Sequence, residues 1–141
     1  MQIPAKAHYA AIAMLALAAR YRDGESVSAR TVAEEHQVPN QFLVQILQQL
    51  RSAGLICSLR GSSGGFKLQR APQSITLAEI VDAVCPPSPT AVNDNEASNL
   101  NVVMASVWEE VIQQQRNQLE QRTLQDLLDQ AASAPAAMFY I

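Results

Sequence analysis

The stretch SARTVAEEHQVPNQFLVQILQQLRSAGLICSLRGSSGGFKL, residues 28–68, decides the fold. Ser28 is a good N-cap for a short helix, because its hydroxyl can accept a hydrogen bond from the first turn. That helix ends before Pro39, since the residue preceding a proline is disfavoured in the helical conformation. A second helix is predicted over residues 41–53. The stretch therefore predicts two helices that meet across a short turn, a helix-turn-helix over about residues 28–53.

The second helix has two clearly different faces. Asn40 is its predicted N-cap, and Gly54 suits the left-handed position that commonly ends a helix. One face carries the apolar residues spaced for burial, which are Leu43, Ile46, Leu47 and Leu50. At about 100° per residue, the opposite face carries an uncharged polar row, which is Gln41, Gln45, Gln48 and Ser52. We expect this polar row to be exposed.

The glutamine row suits the reading of bases. A glutamine amide offers a donor beside an acceptor, which matches the pattern that adenine presents in the major groove of DNA. A solvated helix face is the simpler interpretation, but the hairpin predicted directly after this helix favours DNA binding, because helix-turn-helix plus wing is a known docking unit. Arg51 is the only basic side chain on the helix. The alternative function is therefore a winged-helix module that binds a protein partner and no longer reads DNA.

The predicted wing covers residues 55–70, where the period changes from helical to alternating. A glycine-rich turn separates two short runs, and the cations at its base, Arg60 and Lys67, can reach phosphates or the minor groove. A Walker phosphate loop is excluded because Lys67 follows Phe66 and no helix follows. Alternation also places Cys57 on a strand face with two leucines, which predicts a small core residue.

The rest of the chain is predicted to be helical. An alanine-rich, buried first helix starts at Pro4, a capping box begins at Thr76, and Thr123 caps the last amphipathic helix. Ser98 caps a longer helix that runs to about Gln118. The fold class is thus mainly α with a small β-hairpin.

This organisation predicts three segments: a DNA-binding head over residues 1–84, a loop over residues 85–97, and a dimerisation helix with a C-terminal helix over residues 98–141. The dimerisation helix has two apolar stripes, which more often contact two neighbours than one. The residues predicted at its interface are Leu100, Met104, Val107, Trp108 and Val111.

The charge distribution agrees with a polyanion-binding head. The 141-residue chain has a net charge of −3, but residues 1–70 carry eight cations and four anions, and residues 71–141 carry two cations and nine anions. An acidic second half keeps that half away from a polyanion. The first apolar run is too short to span a membrane, and two cysteines suit the cytoplasm better than a secreted disulfide framework. No catalytic constellation is visible, so we expect no enzyme.

In the order of its motifs, including KAHYA, SLRGSSGGFKL and ITLAEIVDAV, the sequence resembles the Rrf2 family of bacterial winged-helix regulators. The resemblance covers nearly the whole chain and implies a homodimeric repressor on a palindromic operator. It implies base contacts for Gln41 and Gln45 and a minor-groove role for Arg60. It also implies that Lys6 and Ser28 lie near the phosphate backbone.

The sequence departs from that family at the loop. Cluster-binding members carry three closely spaced cysteines after the helix that corresponds to residues 76–84, whereas residues 86–99 here contain none. Cys85 stands alone at the end of the helix, and His8 matches a position where some members contribute a ligand from the partner subunit. We therefore expect no iron–sulfur cluster and no other cofactor, with His8 and Cys85 kept as the possible sensor residues.

Overall fold

A computed structural model describes residues 2–61, 64–87 and 98–134. Within these residues the chain forms six α-helices and one antiparallel hairpin, in the order α1 (Ala5–Ala19), α2 (Ala29–His36), α3 (Asn40–Ser52), β1 (Ile56–Leu59), β2 (Gly65–Leu68), α4 (Leu77–Val84), α5 (Asn99–Glu120) and α6 (Leu124–Ser133). A short 3₁₀ turn, Pro72–Ser74, precedes α4. The predicted fold class, a mainly helical winged helix-turn-helix with a small hairpin, is confirmed.

Helix α1 lies at the centre of the packing and contacts α3, α4 and α6. Pro4 is its N-cap, so the helix begins one residue later than predicted. Its alanines allow this close approach, because Ala10 and Ala13 are fully buried beside Met14. The small side chains let several neighbouring helices reach one short segment.

The turn between α2 and α3 differs from the prediction at one residue. Ser28 caps α2 as predicted, accepting a hydrogen bond from the backbone N–H of Thr31 at 3.0 Å. Asn40, predicted as the N-cap of α3, is instead its first helical residue, and Pro39 occupies the cap. The reason is the path of the chain. Gln37 takes a left-handed conformation with φ 55°. The carbonyl of Pro39 then accepts hydrogen bonds from the backbone N–H groups in the first turn of α3.

The end of α3 explains a second correction. Gly54 has φ 77° and the N–H of Leu55 donates to the carbonyl of Leu50, which is the Schellman arrangement. Leu55 therefore belongs to the end of the helix, and strand alternation starts one residue later. Ile56 faces the core, so Cys57 points away from it and is only half-buried. The prediction of Cys57 as a core residue was wrong.

The C-terminal helix returns to the head. Thr76 and Thr123 each form a capping box, and the two residues face each other in an isolated antiparallel bridge. The N–H of Leu77 donates to the carbonyl of Arg122 at 2.8 Å, and the side chain of Leu124 is fully buried in the common core. Helix α6 is thus held against the same core as the helix-turn-helix.

Helix α5 is capped by Ser98 as predicted and continues to Glu120, two residues beyond the predicted end. Within the described residues, no helix is long and apolar enough to cross a membrane. Most of the predicted loop, residues 88–97, and the end of the C-terminal segment, residues 135–141, lie outside the described residues.

Candidate nucleic-acid interface

The exposed face of α3 is the centre of the candidate site. The apolar stripe is buried, with Leu43, Ile46 and Leu50 each at most 1% exposed. All four residues of the predicted polar row are exposed, which are Gln41, Gln45, Gln48 and Ser52. The predicted division of the two faces is confirmed, and the amides are free to meet a ligand that approaches from solvent.

Sequence reasoning missed a residue on the same face. Val44 is 58% exposed, although it lies on a helix whose other aliphatic residues are buried. At 100° per residue it stands about 60° from Gln41 and about 40° from Gln48, at the edge of the polar row. Its position outside the apolar stripe is the signal that was available in the sequence.

The hairpin lies beside α3 and is held to the start of α2. Strands β1 and β2 pair antiparallel, with Ile56 opposite Leu68 and Cys57 opposite Lys67. A third segment joins them, because Val27 and Phe66 exchange two backbone hydrogen bonds of 2.8 and 3.0 Å. The wing is thus fixed to the helix-turn-helix by backbone contacts.

The two predicted wing cations lie in different settings. Arg60 is exposed at the end of β1, where the turn begins, and Lys67 is half-buried in β2. Neither forms an ion pair with an acidic side chain of the described residues. Neither cation is therefore held in a direct ion pair with these residues, which leaves both available to an anionic ligand.

A cleft of about 480 Å³ lies between the hairpin and the first two helices. Its wall combines Arg20 and Lys67 with Ser28 and Thr31 at the N-terminus of α2, and Glu25 also lines it. Two cations and the positive end of a helix dipole suit a phosphate group. The sequence did not indicate Arg20 or Thr31, because only the tertiary fold brings them beside the wing.

Three arginines, including Arg20 of the cleft, already contact another side chain. Arg20 lies 3.4 Å from Glu35, and Arg30 lies 2.8 Å from Glu34. Arg51 on α3 donates to the hydroxyl of Ser58 at 3.5 Å. Only Arg51 belongs to α3, and the polar row of Gln41, Gln45, Gln48 and Ser52 carries no charge.

Among the remaining predicted contact residues, Lys6 is half-buried in the first turn of α1. Ser28 uses its hydroxyl within the cap of α2, where the Oγ atom also lies 2.8 Å from the hydroxyl of Thr31. A phosphate contact by either residue stays a prediction.

The two possible sensor residues lie on different helices. Cys85 is half-buried at the C-cap of α4, packs against the core and donates its backbone N–H to Val81. His8 is exposed on α1, with its ring 5.8 Å from that of Tyr9. The structure gives no contact between His8 and Cys85.

Helix α5 presents an apolar face without a partner in the described part of the chain. Trp108 is 52% exposed and Leu100 is 80% exposed. The other residues predicted at the interface are Met104 and Val107, both exposed, and Val111, which is half-buried. A contiguous exposed apolar surface of this kind usually marks an interaction site.

The C-terminal part of α5 is tied to α4. Arg116 binds Asp82 through two hydrogen bonds of 2.7 and 2.9 Å and also contacts Glu120 at 3.1 Å. Hydrogen bonds and charge attraction from Asp82 raise the pKa of Arg116 above its ordinary value. The bidentate geometry fixes the orientation of the guanidinium group.

A second ion pair supports the start of α4. Burial alone raises the pKa of Glu79, but hydrogen bonds from Arg70 and from the backbone of Thr76 outweigh it and hold this pKa below its ordinary value. The Arg70–Glu79 distance is 2.7 Å.

The sequence model of the Rrf2 family, described as an iron-dependent transcriptional regulator, matches residues 3–130. The chain is 34% identical over 140 residues to a putative HTH-type transcriptional regulator of Synechocystis, covering 97% of this chain and 94% of the relative. It is 30% identical to the HTH-type transcriptional regulator CymR of Bacillus subtilis, covering all of both chains.

Solved structures of transcriptional regulators also superpose on this chain. T. potens IscR superposes with a TM-score of 0.80 at 30% identity, covering 100% of this chain and 97% of the other. CymR, the global cysteine regulator of B. subtilis, superposes with a TM-score of 0.78 at 28% identity, covering 92% and 97%. The relatives are transcriptional regulators, so the expectation that the chain is not an enzyme is confirmed.

The description of the matching family implies iron, and the donor residues that the structure describes within one chain do not fit an iron site. Within residues 2–61, 64–87 and 98–134, no three His, Cys, Asp or Glu side chains lie together in a way that could hold a metal ion. The chain has only two cysteines, and Cys57 lies on the hairpin while Cys85 ends α4. Iron–sulfur clusters usually require four thiolates or a close variant.

Proposed function

Because the chain belongs to the Rrf2 family of transcriptional regulators, we propose that it is a homodimeric, cytoplasmic repressor that recognises a palindromic DNA operator. The observation that carries this proposal is the exposed amide row of α3, which stands beside a hairpin fixed to the same head. A helix of this kind fits the major groove while the wing reaches the neighbouring minor groove.

In this proposal Gln41, Gln45 and Gln48 read base edges, and adenine is the base that a glutamine amide matches best. Arg60 enters the minor groove from the wing, and Lys67 contacts phosphates from its base. The cleft beside α2 supports a further phosphate contact, since Arg20 and Ser28 line it together with Lys67. Lys6 completes the set of backbone contacts.

The dimer is proposed on the exposed apolar face of α5. Burying this face against a second copy removes apolar surface from water, which is the main driving force for association. The residues that we propose at this interface are Leu100, Met104, Val107, Trp108 and Val111. Twofold symmetry then presents two recognition helices to half-sites separated by about 34 Å.

We further propose that the regulator functions without an iron–sulfur cluster, since the donor set is too small. The protein purified without oxygen is expected to be colourless, and Cys85→Ala is expected to leave operator affinity unchanged. A visible absorption band that disappears in Cys85→Ala or His8→Ala would contradict this part of the proposal.

The test of the function is selection of bound sequences from a random duplex pool, followed by affinity measurements on the enriched operator. We expect Gln45→Ala to weaken operator binding about 30-fold, because each of two half-sites loses about 1 kcal/mol of base contact. Binding to random DNA should hardly change. Gln130→Ala on α6 is the matched control, since that glutamine is exposed outside the head's recognition face.

Operator affinity should also fall steeply with salt concentration, because phosphate contacts release counterions. A pool without any enriched sequence would favour the alternative function, a winged-helix module that binds a protein. Equal losses on operator and random DNA would remove Gln45 as a base-reading residue.

A further inference from the structure

Val44 is part of an apolar hollow at the edge of the amide row. The hollow has a volume of about 220 Å³ and lies between α3, the start of α2 and strand β2. Its wall is formed by Ala29, Val44, Leu47 and Phe66, with Gln48 and Arg51 at the same site. Val44 is therefore not a single scattered surface residue, for which no function would be needed.

The position of the hollow relates it to base reading. Gln48 belongs both to the hollow and to the polar row, so the apolar wall continues directly into the row of amides. Arg51 lies about 20° further from that row than Val44, on the same side of α3. A duplex that lies against the amides therefore also covers Val44.

The C5-methyl group of thymine is the one alkyl group on the base edges of the major groove, and it stands out further than the C5–H of cytosine. A polar base edge against Val44 would lose its contact with water without gaining a hydrogen bond. A thymine methyl group instead gains contact with aliphatic carbon. The chemistry of Val44 thus selects thymine among the four bases.

We propose that Val44 is a specificity-determining residue that receives the methyl group of a thymine in each operator half-site. This inference rests on the proposed function and deepens it. The amides of α3 match adenine, and Val44 matches thymine, so the bases beneath α3 are A·T pairs. Hydrogen bonding by the amide row and apolar contact by Val44 at its edge both favour A·T pairs.

The test uses the operator enriched from the random pool. Each thymine of a half-site is replaced in turn by deoxyuridine, which removes the methyl group and keeps every hydrogen-bonding group. At the thymine that contacts Val44, we expect deoxyuridine to weaken binding about fourfold when one half-site is changed. We expect a loss of about 15-fold when both half-sites are changed, because each then loses one buried methyl contact.

The protein side of the test is Val44→Ala, measured on the thymine and the deoxyuridine operators. This variant should bind the thymine operator more weakly and no longer distinguish the two operators at that position. Val102→Ala is the matched control, because Val102 is also an exposed valine, at 60% compared with 58%, and lies on α5. The control should retain the full sensitivity to deoxyuridine.

The outcomes separate the two proposals. A pool that yields no enriched sequence overturns the DNA-binding function and this inference with it. An enriched operator whose affinity is the same with deoxyuridine at every thymine overturns the inference alone. So does a Val44→Ala protein, folded as judged by an unchanged unfolding midpoint, that discriminates thymine from deoxyuridine as well as the wild type does.

Discussion

Gly65, the first residue of β2, has no space for a side chain, and Gly65→Ala tests how the wing is attached. A Cβ atom at this position would stand 2.7 Å from the carbonyl oxygen of Val27 and 2.8 Å from its carbonyl carbon. Gly65 does not have the positive φ of Gly24, Gly54 and Gly61. The obstacle is therefore the contact with Val27 and not the backbone conformation.

The expected loss follows from these distances. Relief of the contact requires β2 to move by about 0.7 Å, since ordinary carbon contacts begin near 3.4 Å. The same displacement can lengthen the two hydrogen bonds between Val27 and Phe66, now 2.8 and 3.0 Å, to about 3.5 and 3.7 Å, at and beyond the limit of hydrogen bonding. Overpacking costs about 1 to 3 kcal/mol and each weakened bond about 1 kcal/mol at most. We expect the free energy of unfolding to fall by about 2 kcal/mol.

Urea unfolding measures this loss, with the m-value expected to stay constant. Gly24→Ala is the comparison, because nothing lies within 4 Å of its Cβ and only the strain of a left-handed residue remains. Operator affinity of Gly65→Ala should fall as well, because the wing shifts relative to α3. An unfolding free energy within 0.5 kcal/mol of the wild type would refute the steric argument.

Three further predictions concern other parts of the molecule. Val107→Asp places a charge on the apolar face of α5 and should convert the proposed dimer to a monomer in analytical ultracentrifugation, whereas Val102→Asp, outside that face, should not. Asp82→Asn removes the bidentate partner of Arg116 and should speed amide hydrogen exchange in the C-terminal half of α5 severalfold, while exchange in α3 stays constant. Glu79→Gln should lower the free energy of unfolding at pH 7, where the carboxylate is charged. The difference from the wild type, measured by urea midpoints, should shrink as pH falls through the lowered pKa of Glu79 in the folded state. A difference that is the same at pH 3 and pH 7 would contradict a stabilising role for the charged Glu79 carboxylate.

The faces of α3 were predictable from sequence because a helix of 13 residues repeats its pattern over more than three turns. The cap of α2 was predictable for a similar reason, since the donor and acceptor lie three residues apart. The strand was harder. Leu55 belongs to the Schellman turn that ends α3, so the alternation of strand β1 begins one residue later than predicted. This shift reversed the face assigned to Cys57.

Other parts of the site depend on contacts between distant segments. The cleft joins Arg20 with Lys67, 47 positions later in the sequence, and no local pattern relates them. Arg116 and Asp82 are 34 positions apart. Val44 was different, because its sequence position already placed it beside the polar row, and only its exposed apolar surface required the fold.

Helix α5 is attached near its C-terminal end, so a small tilt there produces a larger displacement at its N-terminal end. This helix has 22 residues and, at 1.5 Å per residue, is about 33 Å long. Its C-terminal part is held by the contact of Arg116 with Asp82 on α4 and by the return of α6 to the core. Arg116 lies about 25 Å from the N-terminal end of the helix, so a tilt of about 5° at that contact displaces the far end by about 2 Å. In the proposed dimer, a small rearrangement at the end of α4, where Cys85 lies, would therefore move the two heads relative to each other by more than half the rise of about 3.4 Å per base pair.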